Sequence, residues 1–390
     1  LGSPSLELLT VGVTGTNGKT TTASLVQHLL SPEIATAVIG TLGLIEKNGR
    51  VRPGTEGLTT PGPVQVAVWL RDLADGGTEA VVVEASSHAL EQARLEGVRF
   101  DIAVFTNLTQ DHLDYHGDME GYLHAKAHLV DLVSGDGTLV VNADERAWDA
   151  LAPGSRRVLA FGVASEADIR ATDLRLGAAG TAFTLVYAGQ EHPVRLPLVG
   201  RYNVENALAA ASTAVAAGVD IERVVARLAT TPPVAGRLES VASEPFSVLI
   251  DFAHTPAALE GALEAVRPLT EGRLIVVFGA GGDRDRTKRA PMAETAARLA
   301  DVVVLTSDNP RSEDPEAIID DLAAAIEGRD YLREADRRKA IRLALETARP
   351  GDTVLLAGKG HESYQVIGTE KQPFDERAIV LDALSGRGGA

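Results

Sequence analysis

The stretch "VGVTGTNGKTTT", residues 11–22, indicates the fold class of this chain. Its apolar start belongs to a run from Leu8 to Val13 that predicts a strand, and Thr20 to Leu30 carries apolar residues at helical spacing. The glycines between them allow the backbone to bend around a phosphate at the helix N-terminus, where unpaired N–H groups attract anions. This order of strand, glycine-rich turn and helix predicts a phosphate-binding loop in an α/β protein.

Two side chains in the loop have properties suited to ATP. Lys19 can reach the outer phosphate oxygens, and Thr20 can offer its hydroxyl to Mg²⁺. The usual spacing would place a glycine where Val13 stands, so the loop is a G-T-N-G-K-T variant. The alternative is a glycine-rich turn that binds nothing, and the Lys-Thr pair that follows Gly18 argues against it. The residues expected to bind ATP here are Gly15, Thr16, Asn17, Gly18, Lys19, Thr20 and Thr21.

Composition excludes several classes of protein. The 390 residues suffice for two or three domains, and the net charge of -17 argues against sequence-independent binding of nucleic acid. No apolar run approaches the ~20 residues needed to span a bilayer. With no cysteine, the chain has neither a disulfide framework nor a thiolate metal site. We therefore expect a monomeric, cytoplasmic protein with no nucleic-acid partner and no membrane insertion.

The order of apolar runs predicts two α/β domains. From Leu8 to about Asn142, short Val-rich runs alternate with helices, which is typical of a mostly parallel sheet. Residues 167–198 instead predict short strands in a small antiparallel sheet. The Pro- and Gly-containing stretch 230–239 marks a boundary, and four further strands follow it in Rossmann-like order. The expected domains are residues 1–234, which bind ATP, and residues 235–390 at the C-terminus.

A carboxylate follows the strand in "VVVEASSHAL". Glu84 would lie at the carboxyl end of that strand, where it could bind a metal ion beside Thr20. Alternatively, Ser86 or Ser87 caps the next helix and Glu84 has no partner.

The stretch "TNLTQDHLDYHG", residues 106–117, combines imidazoles and carboxylates that can bind a divalent cation. A polar loop that packs on itself explains the pattern equally well. Lys126 then interrupts the apolar face of the following helix, and such a lysine usually extends to solvent. The polar residues of this stretch are Asn107, Asp111, His112, Asp114 and His116.

Eleven motifs occur in a fixed order: "GTNGKTTT", "LTTP", "EASSHAL", "TNLTQDHLDYHG", "YLHAKAHL", "GRYNVENALAA", "AGRLE", "DFAHTP", "FGAGGDRDRTKR", "SDNPRSEDP" and "AGKGHE". With these motifs the chain resembles the Mur ligases over nearly its whole length. The resemblance is strongest to the members that join a diamino acid to UDP-N-acetylmuramoyl-L-alanyl-D-glutamate in peptidoglycan precursor synthesis. Mur ligases also carry an N-terminal domain that binds the uridine diphosphate sugar, and Leu1 lies where its linker would be.

The resemblance implies an ATP-dependent amide ligase that forms an acyl phosphate and uses two Mg²⁺ ions. It implies a CO2-derived carbamate on Lys126, which would account for a lysine on an apolar face. Lys19, Lys126 and His112 would be catalytic, and Thr20, Glu84, His112 and Lys126 would hold metal. Further ATP contacts would come from Asn206, Arg237, Asp251 and His254. The acceptor would contact Thr59, Thr60, Ser86, Gln92 and Arg94, and the diamino acid would contact Arg284, Asp308, Asn309, Pro310, Arg311, Gly358 and Glu362.

In the family that the chain resembles, the "DNPR" motif usually accompanies meso-diaminopimelate, so the resemblance implies this diamino acid. Its distal carboxylate could form a bidentate pair with Arg311, whereas L-lysine has no such group. L-lysine and L-ornithine are the alternatives. A related ligase, such as folylpolyglutamate synthase or the ligase region of cyanophycin synthetase, is disfavoured by "DNPRSEDP" and "GKGHE". A nucleotide-binding fragment without turnover is the remaining alternative.

Overall fold

The computed structural model describes residues 2–55, 58–177 and 180–385. The chain divides into two compact units. The first consists of Leu1–Thr109, Tyr115–Arg175 and Ala179–Pro232, and the second of Gln110–Asp114, Leu176–Ala178 and Pro233–Ala390. Limits at 1–234 and 235–390 remain a prediction, and the grouping of Gln110–Asp114 with the second unit was not anticipated.

The strands of the described residues are β1 (Leu9–Thr14), β2 (Thr36–Gly40), β3 (Gly43–Ile45), β4 (Val51–Arg52), β5 (Ala80–Glu84), β6 (Phe100–Phe105), β7 (Val133–Asn142), β8 (Arg157–Gly162), β9 (Ile169–Gly177), β10 (Gly180–Tyr187), β11 (Gln190–Leu196), β12 (Glu239–Ala242), β13 (Ser247–Asp251), β14 (Leu274–Phe278), β15 (Val302–Leu305), β16 (Leu332–Arg333), β17 (Thr353–Ala357), β18 (Tyr364–Ile367) and β19 (Glu370–Pro373).

The helices of the same residues are α1 (Lys19–Leu30), α2 (Pro63–Asp75), α3 (Ser87–Glu91), α4 (Leu113–His116), α5 (Met119–Asp131), α6 (Arg201–Ala216), α7 (Ile221–Leu228), α8 (Pro256–Val266), α9 (Arg289–Leu299), α10 (Pro315–Ala324), α11 (Arg337–Thr347) and α12 (Glu376–Ser385).

Among the described residues, the first unit is built on a sheet of eleven strands in the order β11-β10-β9-β8-β7-β6-β1-β5-β2-β3-β4. Strand β1 pairs in parallel with both β5 and β6. Its Val11 and Val13 are fully buried, as expected for a central strand of a sheet that is covered by helices. The predicted mostly parallel sheet is confirmed, and the carboxyl ends of β1, β5 and β6 lie side by side.

The antiparallel strands expected over residues 167–198 are present as β9, β10 and β11, with residues 178 and 179 outside the described part. They extend the large sheet, however, and do not form a sheet of their own. Strand β8 pairs in parallel with the start of β9, and Phe183 and Leu185 of β10 share a hydrophobic core with Val11. The antiparallel part is therefore continuous with the large sheet, since the core continues across the change of strand direction.

The second unit contains a described sheet of six strands in the order β12-β13-β17-β14-β15-β16. Strands β13, β17, β14, β15 and β16 are parallel, and β12 pairs antiparallel with β13. The carboxyl ends of β13, β15 and β17 lead into "DFAHTP", "SDNPR" and "AGKGHE". Strands β18 and β19 form a small antiparallel sheet. Within residues 2–55, 58–177 and 180–385, no helix combines the length and apolar character required to cross a bilayer.

Candidate active site

The loop between β1 and α1 requires glycine at two positions. Gly15 and Gly18 have φ angles of 145° and 87°, in the left-handed region that favours glycine. A Cβ at Gly15 would lie 1.9 Å from the Thr106 hydroxyl oxygen, and one at Gly18 would lie 2.2 Å from the Asn206 side-chain oxygen. The "GTNG" pattern therefore reflects both backbone conformation and close contact with neighbouring elements.

The stretch after β6 holds this loop in place. The Asn17 backbone N–H donates to Oδ1 of Asn107 at 2.8 Å, and the Thr16 N–H donates to the Asn107 carbonyl at 2.8 Å. The Thr106 hydroxyl donates to the Asn17 carbonyl at 2.8 Å. Thr106 and Asn107 thus fix the loop backbone from the neighbouring strand, a role the sequence did not predict.

Two lysine side chains converge on the loop. Lys19 Nζ donates to the carbonyls of Gly15 and Thr16 at 2.9 and 2.8 Å, and Lys126 Nζ donates to the Gly15 carbonyl at 2.8 Å. Lys126 is 1% exposed and its Nζ lies 4.3 Å from the centre of the Tyr122 ring. Lys126 therefore does not extend to solvent, and its amine lies beside the loop between β1 and α1.

The carboxylate of Glu84 lies beside Thr20. Its Oε2 accepts hydrogen bonds from the hydroxyls of Thr20 and Thr41, each at 2.9 Å, and its Oε1 accepts from the Thr41 N–H at 3.0 Å. Glu84 is 1% exposed. Ser86 also caps α3 by accepting from the Ala89 N–H, so the cap and the carboxylate beside the loop occur together. Carboxylate and hydroxyl oxygens suit a Mg²⁺ ion.

The predicted acceptor residues form one network in the first unit. The Thr60 hydroxyl donates to the Glu84 carbonyl at 2.6 Å, and Arg94 donates to the Thr60 carbonyl at 3.1 Å. Arg94 Nε also donates to Gln92 Oε1 at 2.9 Å, and Gln92 donates to the Tyr115 hydroxyl at 3.0 Å. Ser86 and Thr59 join this network through the hydroxyls of Thr60 and Thr41.

The further ATP residues are divided between the units. Asn206 lies on α6 in the first unit, whereas Arg237, Asp251 and His254 belong to the second. Asp251 accepts from the backbone N–H groups of residues 238 and 253, and its burial raises the pKa of the carboxyl group despite the nearby Arg237. The Arg237 guanidinium lies 4.6 Å from the centre of the Phe252 ring. At this distance the cationic guanidinium and the aromatic ring attract each other, which holds Arg237 against Phe252.

The segment Gln110–Asp114 is bound by charged groups of the second unit. Asp111 is 4% exposed and lies 3.4 Å from Lys288 and 3.5 Å from both His112 and His254. Burial opposes ionisation of Asp111, but Lys288 and the two imidazoles hold the pKa of the carboxyl group well below its usual value. Asp111 is thus an ion-pair residue whose partners Lys288 and His254 lie outside its own loop. His112 belongs to the second unit and Lys126 to the first.

Acidic and imidazole side chains alone do not form a metal site here. Across the described residues, no group of three or more His, Asp or Glu side chains is arranged to hold a metal ion. Asp114 and His116 therefore have no metal-binding arrangement, and His116 instead lies 3.0 Å from the Ser87 hydroxyl. Lys126 as an amine cannot bind Mg²⁺, whereas a carbamate on the same atom could.

The residues expected to bind a diamino acid come together in the second unit. Asp308 and Asn309 follow β15, and Glu362 follows β17. Asn309 Nδ2 donates to Glu362 Oε2 at 3.0 Å. Gly358 has a φ of 120°, and a Cβ there would lie 3.3 Å from Asp308 Oδ2. Two carboxylates therefore lie in one polar cluster, where they can attract an ammonium group.

The two arginines of this region lie on neighbouring segments, Arg284 after β14 and Arg311 after β15. Arg311 has a φ of 52°, and its Nη1 donates to the Gly282 carbonyl at 2.7 Å. Burial and the neighbouring Arg284 lower the pKa of Arg311 from its usual value. A Cβ at Gly282 would lie 1.9 Å from the Pro310 carbonyl oxygen, which explains the paired glycines of "GAGGDRD". The two segments thus bring two cations close to each other.

Two buried cations behind this region had no role assigned from the sequence. Lys359 is fully buried, and Arg337 is 1% exposed and pairs with Glu376 at 2.8 Å. Lys359 had one detectable signal, since lysines are few and this one lies in "GKGHE". Arg337 had none, because its partner Glu376 follows 39 residues later.

Two family models match the chain: "Mur ligase middle domain" over residues 13–214 and "Mur ligase, glutamate ligase domain" over residues 236–360. The chain belongs to the Mur ligase family. It is an ATP-dependent amide ligase by that membership, so the predicted family, fold class and enzyme class are confirmed.

Two curated relatives of this Mur ligase carry the name UDP-N-acetylmuramoyl-L-alanyl-D-glutamate--2,6-diaminopimelate ligase. That of Synechococcus elongatus is 47% identical over 399 residues, covering 99% of this chain and 78% of the relative. That of Bacillus velezensis is 42% identical over 392 residues, covering 98% and 79%. A solved structure with the same name has a TM-score of 0.66 at 37% identity, covering 98% of this chain and 79% of the other. Folylpolyglutamate synthase of Mycobacterium tuberculosis shares the fold at 21% identity, with a TM-score of 0.79 over 99% of this chain and 92% of its own.

Proposed function

We propose that this Mur ligase joins meso-diaminopimelate to UDP-N-acetylmuramoyl-L-alanyl-D-glutamate with hydrolysis of ATP. The D-glutamate side-chain carboxylate attacks the γ-phosphate, ADP leaves, and an acyl phosphate forms. The amine of the diamino acid then attacks the acyl carbon, and inorganic phosphate leaves as the amide forms. Relatives with 42 to 47% identity that carry this activity in their names support the proposal.

The observation that carries the substrate assignment is the polar cluster of the second unit. Asp308 and Glu362 offer carboxylates to an ammonium group, and Arg311 on the adjacent turn offers a guanidinium to a carboxylate. A diamino acid with a distal carboxylate has both kinds of group. L-lysine and L-ornithine have no distal carboxylate, so they would offer Arg311 no bidentate partner.

The phosphate loop would bind and orient ATP. The N–H groups at the start of α1 and the ammonium of Lys19 would face the phosphate charge and offset it, with Lys19 leaving its contacts to Gly15 and Thr16. Thr20 and Glu84 fit a Mg²⁺ ion because their oxygens already lie 2.9 Å apart. Such an ion would offset the charge that develops on the transferred phosphoryl group.

We also propose that Lys126 reacts with CO2 and, as a carbamate, helps to hold a second Mg²⁺ ion; a role of His112 at that ion stays a prediction. The amine lies in a buried site, where it donates to the Gly15 carbonyl of the loop that would bind the phosphates. The reaction would replace a cation with an anion, which arginine could not do. Cytoplasmic location and a monomeric state remain predictions.

The test is phosphate release from ATP in the presence of the acceptor with meso-diaminopimelate, L-lysine or L-ornithine. We expect release that requires both the acceptor and meso-diaminopimelate. Arg311→Ala should lower kcat/KM for meso-diaminopimelate by about 100-fold, since it removes a charged hydrogen-bonding partner. Arg329→Ala, which changes an exposed arginine of the same unit, should have no effect.

Equal use of L-lysine by the unaltered protein would contradict the substrate assignment. If no phosphate is released with any of the three amino acids although ADP binding is measurable, the alternative of a nucleotide-binding fragment without turnover would be favoured.

A further inference from the structure

The "GKGHE" motif contains a lysine to which the proposed reaction assigns no task. Lys359 is 0% exposed. It follows the carboxyl end of β17, on the side of the sheet where the diamino acid would bind. A buried ammonium group is stable only where oxygens surround it. Its surroundings therefore indicate what it does.

Four oxygens surround Lys359 Nζ. The carboxylate oxygens are Asp308 Oδ1 at 3.5 Å and Glu362 Oε2 at 3.2 Å. The neutral oxygens are Asn309 Oδ1 at 3.0 Å and the Tyr364 carbonyl at 2.9 Å. Three of these four partners are side chains, and all three belong to the proposed diamino-acid set. A compact ammonium with three donors suits this arrangement better than a planar guanidinium would.

From this arrangement we propose that Lys359 is a positioning and specificity-determining residue for the diamino acid. It holds Asp308, Asn309 and Glu362 in place and sets the net charge of the pocket to suit a zwitterionic amino acid. The inference rests on the proposed function and adds to it a determinant of substrate choice.

Arg337, the other buried cation of this region, has a carboxylate partner outside the pocket. Arg337 donates to the carbonyls of Ser307 and Ala357 at 3.2 and 2.8 Å, and its charge is paired with Glu376. Burial opposes ionisation of Asp308, but Lys359 and, after it, Arg337 lower the pKa of its carboxyl group. Lys359 is thus the cation that balances the two carboxylates of the pocket.

Removal of this charge would change which amino acid the pocket favours. Diaminopimelate carries two ammonium and two carboxylate groups and has no net charge, whereas L-lysine has a net positive charge. Without Lys359, Asp308 and Glu362 would make the pocket more negative. A more negative pocket attracts the more cationic substrate and repels the distal carboxylate.

The decisive variant is Lys359→Gln, which removes the charge but keeps amide donors for the neutral oxygens. The control is Lys371→Gln, which changes an exposed lysine of β19. We would measure kcat/KM for meso-diaminopimelate and for L-lysine, together with KM for ATP. In Lys359→Gln we expect kcat/KM for meso-diaminopimelate to fall about 100-fold. Its preference over L-lysine should shrink at least about tenfold, with KM for ATP unchanged.

Equal losses with both amino acids would overturn the inference, because a purely structural role affects them alike. Lys359→Arg keeps the charge and should keep the preference even where the rate falls; loss of preference in this variant would also overturn the inference. If circular dichroism shows that Lys359→Gln does not fold, the substrate preference of Lys359→Arg decides. Failure of the unaltered protein to use any diamino acid would instead refute the proposed function.

Discussion

The phosphate loop of the first unit and the diamino-acid pocket of the second are built by different means. The loop is one contiguous stretch whose backbone is fixed by close contacts at Gly15 and Gly18. The pocket is assembled from separate segments, and buried charges such as Lys359 and Arg337 hold those segments together. Added side-chain volume should therefore disrupt the loop, whereas loss of a charge should disrupt the pocket.

The largest effect is expected where a buried charge loses its partner. Arg337→Met should lower the free energy of unfolding by about 3–5 kcal/mol, because Glu376 would remain buried without its cation. Urea denaturation measures this directly. The control is Arg170→Met, which breaks the exposed pair with Glu166 and should change stability by less than about 1 kcal/mol. Equal effects in the two variants would refute the distinction between buried and exposed pairs.

Side-chain volume should have the next largest effect, at the loop. Gly18→Ala should weaken ADP binding by about 100-fold, since its Cβ would meet Asn206 at 2.2 Å in a left-handed backbone conformation. Gly49→Ala is the matched control, because Gly49 has a similar φ of 81° and no atom within 4 Å. Titration calorimetry compares the two. Similar losses would mean that backbone conformation or the substitution itself, and not close contact, determines the result.

A smaller effect on stability should follow from a change of pH, because the imidazole of His361 resists protonation in the folded protein. Burial and the nearby Arg237 lower the pKa of His361 to about 4. Between pH ~6.5 and about 4 the unfolded imidazole binds a proton that the folded one does not, so stability falls as the pH falls through this window. From pH 6.5 to 5 the loss is about 2 kcal/mol.

His361→Gln should remove that part of the pH dependence while leaving the contribution of the carboxylates. Urea denaturation of both proteins at a series of pH values makes the comparison. Parallel pH profiles for the two proteins would show that His361 is protonated in the folded state.

Contiguous features could be predicted from the sequence and long-range pairings could not. The phosphate loop and its flanking strand and helix were predicted because glycine spacing and apolar periodicity act locally. The placement of Lys126 was suggested only by resemblance. The pair of Arg337 and Glu376 was missed because it depends on the packing of α11 and α12. The continuous large sheet was missed since strand direction alone does not indicate where a hydrophobic core ends.

The edges of the two large sheets affect how the chain behaves when it is concentrated. Edge strand β11 contains Pro193, which has no N–H to donate, and the opposite edge strand β4 has two residues. In the second sheet, β12 changes register between Ser240 and Ala242, and β16 is again two residues long. None of these described edges offers a long, regular row of unpaired groups. Addition of strands from another copy of the chain, a common route to aggregation, is therefore disfavoured.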